Sequence, residues 1–194
     1  MIDVRDLLAA FAPHRGDAII VPGRAARHWR EHGDTVFDLP LGDPAMGGRA
    51  GFSLGLALAQ PSRRVVVFDS EGDLLMNLGV LATIAEQAPS NFYHFLLDNE
   101  CYATTGGQPV PNALGMAYDV VARGCGLARA HAFSDIAEVS REMPRLVAPP
   151  GPVFIWIKVR PEIENRPIGQ RPVFRGRGPA AVIAGVRQAL TTGG

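Results

Sequence analysis

Short apolar runs alternate along the chain with stretches in which apolar residues recur at helical spacing. The clearest run, 64–69 (RVVVFD), is continuous and β-branched, which is typical of a strand covered on both faces of a sheet. The run 75–88 (LMNLGVLATIAEQA) instead shows the period of an amphipathic helix, and Pro89 follows it. Applied to the whole chain, the pattern predicts strands at 18–21, 35–39, 64–69, 94–97 and 153–159. It predicts helices at 3–12, 24–32, 51–59, 75–88, 114–124, 134–147 and 179–191.

Strands that alternate with helices indicate βαβ units, so the sequence predicts an α/β fold with a mainly parallel β-sheet and helices on both faces. The 194 residues contain no repeat or linker that would divide them, and we expect one domain over 1–194. An Arg-, Pro- and Gly-rich arm at 160–178 precedes the terminal helix. Ligands of such sheets bind beyond the carboxyl ends of the strands. Residues 43–48, 69–77 and 98–108 are therefore the candidate site.

Composition excludes several classes of function. Lys and Arg number 19, Asp and Glu number 19, and the zero net charge argues against a partner that is a nucleic acid or a membrane bound by charge. The two cysteines lack a CxxC spacing, which favours a cytoplasmic protein without disulfides or a zinc site. No signal peptide is expected at the N-terminus. The arginines of the arm suit a subunit contact or a solvated tail better than a nucleic-acid site.

Oxygen ligands follow two neighbouring predicted strands. Glu71 lies in an acidic, glycine-containing turn after 64–69, and Asn99 follows the strand at 94–97. Mg²⁺ accepts a few protein oxygens and takes the rest from phosphates and water. Glycine turns and helix N-termini favour phosphate, so the spacing points to a metal-bridged diphosphate site. Turn formation and helix capping alone also place acidic and glycine residues after strands, and this interpretation stays open.

Longer motifs carry a resemblance to a known family. The stretch 46–91 (MGGRAGFSLGLALAQPSRRVVVFDSEGDLLMNLGVLATIAEQAPSN) and the stretch 95–109 (FLLDNECYATTGGQP) resemble the diphosphate-binding domain of thiamine-diphosphate enzymes. The similarity is strongest to the decarboxylases of sulfopyruvate and phosphonopyruvate. The family places Gly-Asp-Gly at the end of a strand and an Asn after the next one. Ser70-Glu71-Gly72 and Asn99 stand at those places here, and the LLMNLG…LATIA and TGGQP runs are more specific still.

The resemblance implies two cofactors, thiamine diphosphate and Mg²⁺. Mg²⁺ would be held by the Glu71 carboxylate, the Asn99 side-chain oxygen and the Cys101 backbone carbonyl. Met46 would wedge between the two rings of thiamine diphosphate, and the carbonyl of Pro44 would accept a hydrogen bond from its 4′-amino group. The residues implied to contact thiamine diphosphate are Pro44, Met46, Gly47, Gly72, Asp73, Asn99, Tyr102 and Ala103.

Three residues depart from the family pattern. Glu71 is one methylene longer than the usual Asp, and Ser70 replaces a glycine of the tight turn. Asp73 places an anion where the family has a hydroxyl that donates to a phosphate, which costs energy unless a cation lies between the two charges. Asp73 therefore joins the metal shell, turns away from the diphosphate, or weakens cofactor binding. Arg49 and Arg63 are candidate compensating cations.

The family's catalytic Glu, which activates the pyrimidine ring of the cofactor, lies on a separate pyrimidine-binding domain that this length does not accommodate. The resemblance therefore implies a subunit of a hetero-oligomeric decarboxylase, with no catalytic residue of its own and the activating Glu on the partner chain. The substrate would be a 2-oxo acid with a phosphonate or sulfonate end. One alternative is a non-catalytic scaffold or regulatory subunit with a degenerate cofactor site. A Rossmann-type nucleotide domain is less consistent with the sequence, because no GxGxxG follows the first strand.

Overall fold

A parallel sheet forms the centre of the computed structural model, which describes residues 1–41, 46–170 and 177–192. Within those residues the strands are β1 (Ile19–Val21), β2 (Val65–Ser70), β3 (Phe92–Asp98), β4 (Cys101–Tyr102), β5 (Gln108–Pro109), β6 (Ala130–Phe133) and β7 (Val153–Lys158). The helices are α1 (Val4–Phe11), α2 (Ala26–Trp29), α3 (Arg49–Ala59), α4 (Glu71–Leu75), α5 (Val80–Gln87), α6 (Tyr118–Gly124), α7 (Ile136–Leu146) and α8 (Pro179–Thr192).

Five of the strands pair in parallel in the order β1-β2-β3-β7-β6, and β4 and β5 form a separate antiparallel ribbon. Successive strand residues point to opposite faces, so each face has its own core. On one face the strands pack against α1, α2 and α7, with Phe11, Phe68 and Phe95 in mutual ring contact. On the other they pack against α3, α5, α6 and α8. The predicted α/β class with helices on both faces of a parallel sheet is confirmed.

The strands of the structure differ from the prediction at two places. The strand at 35–39 is wrong: this segment meets the sheet at one bridge, Ile20 to Asp38, and otherwise turns. The turn is held by the buried Asp38 carboxylate, which accepts hydrogen bonds from Trp29 Nε1 at 2.8 Å and from the Thr35 N–H at 2.6 Å. The four-residue strand β6 was not predicted, because AHAF is too short and too weakly β-branched to stand out.

The predicted helix at 75–88 is two helices. The first, α4, begins at Glu71 because the Ser70 hydroxyl caps it by accepting the Asp73 N–H at 3.4 Å. It ends at Leu75, and α5 starts only at Val80 after a turn that contains Gly79. The apolar period runs through both helices, so the pattern does not reveal the break. The early start of α4 matters for the site, because it makes Glu71 the first helical residue after β2.

The region 160–178 was expected to be an arm, and its described part packs against the chain's own loops. The Arg160 N–H donates to the carbonyl of Ile2 at 2.8 Å, and the Glu164 N–H donates to that of Ala103 at 2.8 Å. Ile163 lies so close to Gly107 that a Cβ added to this glycine would be 2.7 Å from the isoleucine. Arg171 and Arg175 lie outside the described residues. Residues 160–164 therefore hold the β4–β5 ribbon against the sheet.

We predict that Asn91→Ala destabilises the fold by about 1–3 kcal/mol, because carbonyls at the end of α3 lose their donor. The buried Asn91 amide donates to the carbonyls of Ala57, Gln60 and Arg63 at 2.8–3.0 Å. Urea unfolding measures the change, with the exposed Gln87→Ala as the control. Equal stability of the two variants would contradict the prediction.

Candidate active site

The carboxyl ends of β2 and β3 lie side by side and bring the predicted metal ligands together. The two strands pair in register up to Ser70 and Leu97. Glu71 follows the first strand and Asn99 the second. The Cys101 N–H donates to both of them, to Glu71 Oε1 at 3.1 Å and to Asn99 Oδ1 at 3.1 Å. The structure thus gathers around one backbone amide the three residues predicted to bind Mg²⁺.

Glu71 has the electrostatics of an anion that lacks a counter-ion. Its side chain is fully buried, and Oε2 has no hydrogen-bond partner. Burial and the charge of Asp98 raise the pKa of Glu71 to about 7, although the N–H groups of Glu71, Asn99 and Cys101 oppose the shift. A cation beside Oε2 would offset the desolvation of the carboxylate.

The donor set fits a hard cation that brings other ligands with it. In the described part of the chain no three His, Cys, Asp or Glu side chains form a metal cluster. The available donors are instead one carboxylate, one amide oxygen and one carbonyl. The Cys101 carbonyl accepts the Ala103 N–H at 3.0 Å, which leaves it a second lone pair. Such a partial oxygen set is typical of Mg²⁺ sites that are completed by phosphate and water.

A cavity of about 290 Å³ opens above these residues. It includes most of the residues implied to contact the cofactor, whereas Pro44 lies outside the described residues. Sequence reasoning did not assign Arg24 to the site, and it included Met76 only as part of the range 69–77. Arg24 follows β1, so the rule that ligands bind beyond strand ends could have identified it. The cavity is lined by Arg24, Met46, Ser70, Gly72, Asp73, Met76, Asn99, Cys101, Tyr102, Ala103, Thr104 and Thr105.

Gly72 is required by the close approach of Tyr102. A Cβ added to Gly72 would lie 2.9 Å from the tyrosine ring, which is closer than real side chains come. Tyr102 belongs to β4, and its ring lies on the first turn of α4. The glycine at this place of the signature therefore allows the β4–β5 ribbon to form a wall of the cavity.

Asp73 turns toward the loop that precedes α3. Its Oδ1 accepts the Gly47 N–H at 2.8 Å, and its Oδ2 lies 3.6 Å from the guanidinium of Arg49. Burial and neighbouring Asp69 raise the pKa of Asp73, against the Gly47 N–H and Arg49. Arg49 is therefore the compensating cation. The other candidate, Arg63, instead bonds to Asp17 and stacks on Phe37.

Behind Asp73 lies a buried network of ionisable side chains that fixes Arg49. Arg49 Nη1 bonds to Asp69 Oδ1 at 3.1 Å, and Asp69 Oδ2 lies 3.3 Å from His94 Nε2. Burial alone would raise the pKa of Asp69, but His94, Arg49 and the Ser70 N–H together hold it below its ordinary value. The network links β3, β2 and α3 to the residue that departs most from the family pattern.

The Cys101 thiol is not an activated nucleophile. Burial and the carboxylates of Glu71 and Glu100 raise its pKa, which outweighs the opposite effect of Arg24. The thiol is neutral near pH 7 and lies 3.4 Å from Asn99 Oδ1. What Cys101 offers to the site is its backbone.

Residues 21–157 match the family model of the thiamine pyrophosphate enzyme, C-terminal TPP binding domain. The chain belongs to this family. The family inferred from the sequence is thereby confirmed, and the match contains the complete β2–α4 and β3–β4 turns that form the site. Within the described residues, no helix has the length and apolar character to cross a membrane.

Named relatives include enzymes of two kinds. The chain is 40% identical over 125 residues to the sulfopyruvate decarboxylase subunit beta of Methanothermobacter thermautotrophicus, which is 64% of this chain and 63% of that subunit. It is 40% identical over 119 residues to the phosphonopyruvate decarboxylase of Streptomyces viridochromogenes, which is 60% of this chain but 29% of that enzyme. The matched part is thus less than two thirds of each relative.

A solved structure supports the fold. A chain from Mycobacterium smegmatis, assigned as a thiamin diphosphate-dependent enzyme, superposes with a TM-score of 0.64 at 15% sequence identity. The superposition covers 83% of this chain and 32% of that one. The shared fold extends over most of the present chain and a minor part of the larger enzyme.

We predict that Glu71→Gln stabilises the metal-free protein at pH 8 by about 1–3 kcal/mol and has little effect at pH 5. The folded-state pKa of Glu71 is about 7 and its ordinary value is 4.5, so the folded state binds more protons than the unfolded state between these pH values. The stability that protonated Glu71 contributes is therefore lost as the pH rises from 4.5 to about 7. The glutamine of the variant does not titrate, so the variant does not lose this stability. Urea unfolding at both pH values measures the effect.

The matched control is Glu86→Gln, an exposed substitution on α5. It should leave the free energy of unfolding unchanged at both pH values. A Glu71→Gln protein that is less stable than the wild type at pH 8 would contradict the prediction.

Proposed function

We propose that the chain is the diphosphate- and Mg²⁺-binding subunit of a thiamine-diphosphate-dependent decarboxylase of a 2-oxo acid. The observation that carries the proposal is the convergence of Glu71, Asn99 and Cys101 below an open cavity, with Glu71 Oε2 buried and unpartnered. The family membership adds the cofactor class. The relatives named as beta subunits support a second chain in the active enzyme.

In this proposal the residues of the cavity have distinct tasks. Glu71, Asn99 and the Cys101 carbonyl hold Mg²⁺, and the turn at Gly72 with the ribbon residues Tyr102 and Ala103 receives the diphosphate. Met46 and Gly47 would face the rings of the cofactor, and Pro44, which the resemblance also assigns there, lies outside the described residues. When bound, thiamine diphosphate supplies the carbon nucleophile and the electron sink that decarboxylation requires. The protein binds and orients this group, and its apolar rim limits access of water.

The geometry favours a site shared between two chains. The cavity volume of about 290 Å³ lies at the lower end of the range for ligand pockets. Two large apolar side chains at its rim are exposed, Met46 by 73% and Met76 by 50%. A pyrimidine-binding partner chain would cover them and supply the activating Glu. The hetero-oligomer and the cytoplasmic location stay predictions, as does a single domain over 1–194.

The substrate class is proposed from the relatives and from one residue of the cavity. Sulfopyruvate and phosphonopyruvate, which give the relatives their names, are 2-oxo acids with a strongly acidic group at the far end. Arg24 lines the cavity, and a guanidinium suits sulfonate or phosphonate oxygens. We therefore propose a substrate with one of these two ends.

We predict Mg²⁺-dependent binding of thiamine diphosphate by the full chain together with its pyrimidine-binding partner, measured by calorimetry. Glu71→Ala should weaken binding at least about tenfold, because the site loses its only charged metal ligand among the described donors. Glu86→Gln is the control and should bind like the wild type. If the wild-type chain and its partner together bind no thiamine diphosphate, the cofactor assignment is overturned and the scaffold alternative is favoured.

We predict that Glu71→Asp, which restores the family residue, weakens Mg²⁺ binding by about tenfold in this chain. The Glu71 carboxylate reaches the Cys101 N–H with the side-chain length of a glutamate. An aspartate is one methylene shorter, so its carboxylate would be drawn away from a metal ion that requires ligand distances of ~2.1 Å. The Mg²⁺ dependence of cofactor binding measures the loss. Unchanged or tighter Mg²⁺ binding would indicate that Glu71 is a degenerate ligand.

A further inference from the structure

Gly47 is fixed at both of its backbone polar groups by side chains from the α4 region. Its N–H donates to Asp73 Oδ1 at 2.8 Å, and its carbonyl accepts from Asn77 Nδ2 at 3.2 Å. Its φ of 77° lies in the left-handed region that glycine adopts freely. A Cβ added here would lie 3.1 Å from Met76 Cβ, so the backbone is also pressed against the end of α4.

The Asp73 end of this contact is itself immobilised. Asp73 is 7% exposed, and its N–H is bonded to the Ser70 hydroxyl that caps α4. Its second carboxylate oxygen faces Arg49, which is bonded to Asp69 on β2. A buried carboxylate with an ion-pair partner and a hydrogen-bond donor keeps one orientation, because any other orientation leaves a charge desolvated and unpaired.

Met46 directly precedes the fixed glycine and lines the cavity while 73% of it is exposed. A side chain so exposed receives little guidance from packing, so the backbone at Gly47 decides where it projects. We propose that Asp73 and Asn77 form a clamp on Gly47 that positions Met46 over the cavity, and that Asp73 is a positioning residue and not a ligand of the diphosphate. This inference rests on the proposed function, because the proposed function gives the reason why Met46 is positioned over the cavity.

The clamp gives a reason for the departure at position 73. A serine at this position ends one bond short of the Asp73 carboxylate oxygens and would not reach the Gly47 N–H from the same backbone. It would also leave Arg49 with one carboxylate fewer. An asparagine has the reach and an acceptor oxygen but not the charge. A comparison of serine, asparagine and aspartate at position 73 therefore separates the effect of side-chain length from the effect of charge.

The test compares Asp73→Ser, Asp73→Ala and Asp73→Asn in the full chain without cofactor. NMR follows hydrogen exchange of the Gly47 amide and the methyl resonance of Met46. Ser and Ala should speed Gly47 exchange about tenfold and shift the Met46 methyl signal, because the acceptor is lost. Asn should restore both signals toward the wild type. Asn77→Ala should act in the same direction as Ala at position 73.

Two controls exclude a general loss of stability. The Phe95 amide in the core of β3 should keep its exchange rate in every variant, and the exposed Asp6→Asn should change nothing. Unchanged Gly47 exchange and Met46 signal in Asp73→Ser and Asp73→Ala would overturn the clamp. So would an Asp73→Asn protein that behaves like Asp73→Ala, since charge alone would then be responsible.

Thiamine diphosphate affinity, measured with Mg²⁺ and the partner chain, is the second readout. Ser and Ala should lower the affinity about fivefold or more, whereas Asn should stay within about threefold of the wild type. Tighter binding by Asp73→Ser would overturn the proposal, because Asp73 would then act only as an unfavourable charge. If the unloaded protein responds as expected but no protein binds thiamine diphosphate, the proposed function fails while the clamp stands.

Discussion

The hydrogen bond from the Cys101 N–H to the buried carboxylate of Glu71 joins the two turns on which the site depends. It connects the first residue of α4 to the ribbon that follows β3. A fully buried carboxylate is tolerated only when donors or a cation compensate its lost hydration. One oxygen of Glu71 has its donor, while the other has none in the described structure. The fold therefore holds a buried carboxylate with one uncompensated oxygen, and a metal ion bound there would compensate it.

The other carboxylates at this edge differ from Glu71 in having cationic partners. Asp69 and Asp73 face Arg49, and Asp98 bonds to Lys158 at 2.9 Å. Each of these charges is therefore partly balanced inside the chain. The contrast explains why a cation would bind at Glu71 and not at the more numerous aspartates around it.

The sequence predicted what depends on local pattern. The strand at 64–69, the turn at Glu71 and the position of Asn99 could be found because a parallel sheet places successive strand ends together. The break between α4 and α5 was missed because the apolar period continues across Gly79. The contact of Asp73 with the Gly47 backbone joins residues that are 26 positions apart in the chain. No pattern in one sequence indicates such a partner, so the alternatives for Asp73 had to stay open.

The cavity has two walls that are not part of the sheet, and contacts with neighbouring segments fix each of them. On one side the α4 region holds Gly47. On the other, residues 160–164 hold the ribbon through Ala103 and Gly107. Such walls keep their positions without a ligand, so less ordering entropy opposes binding. The Met46 and Met76 side chains on the first of these walls stay exposed, and their chemistry suits the apolar surface of a second chain.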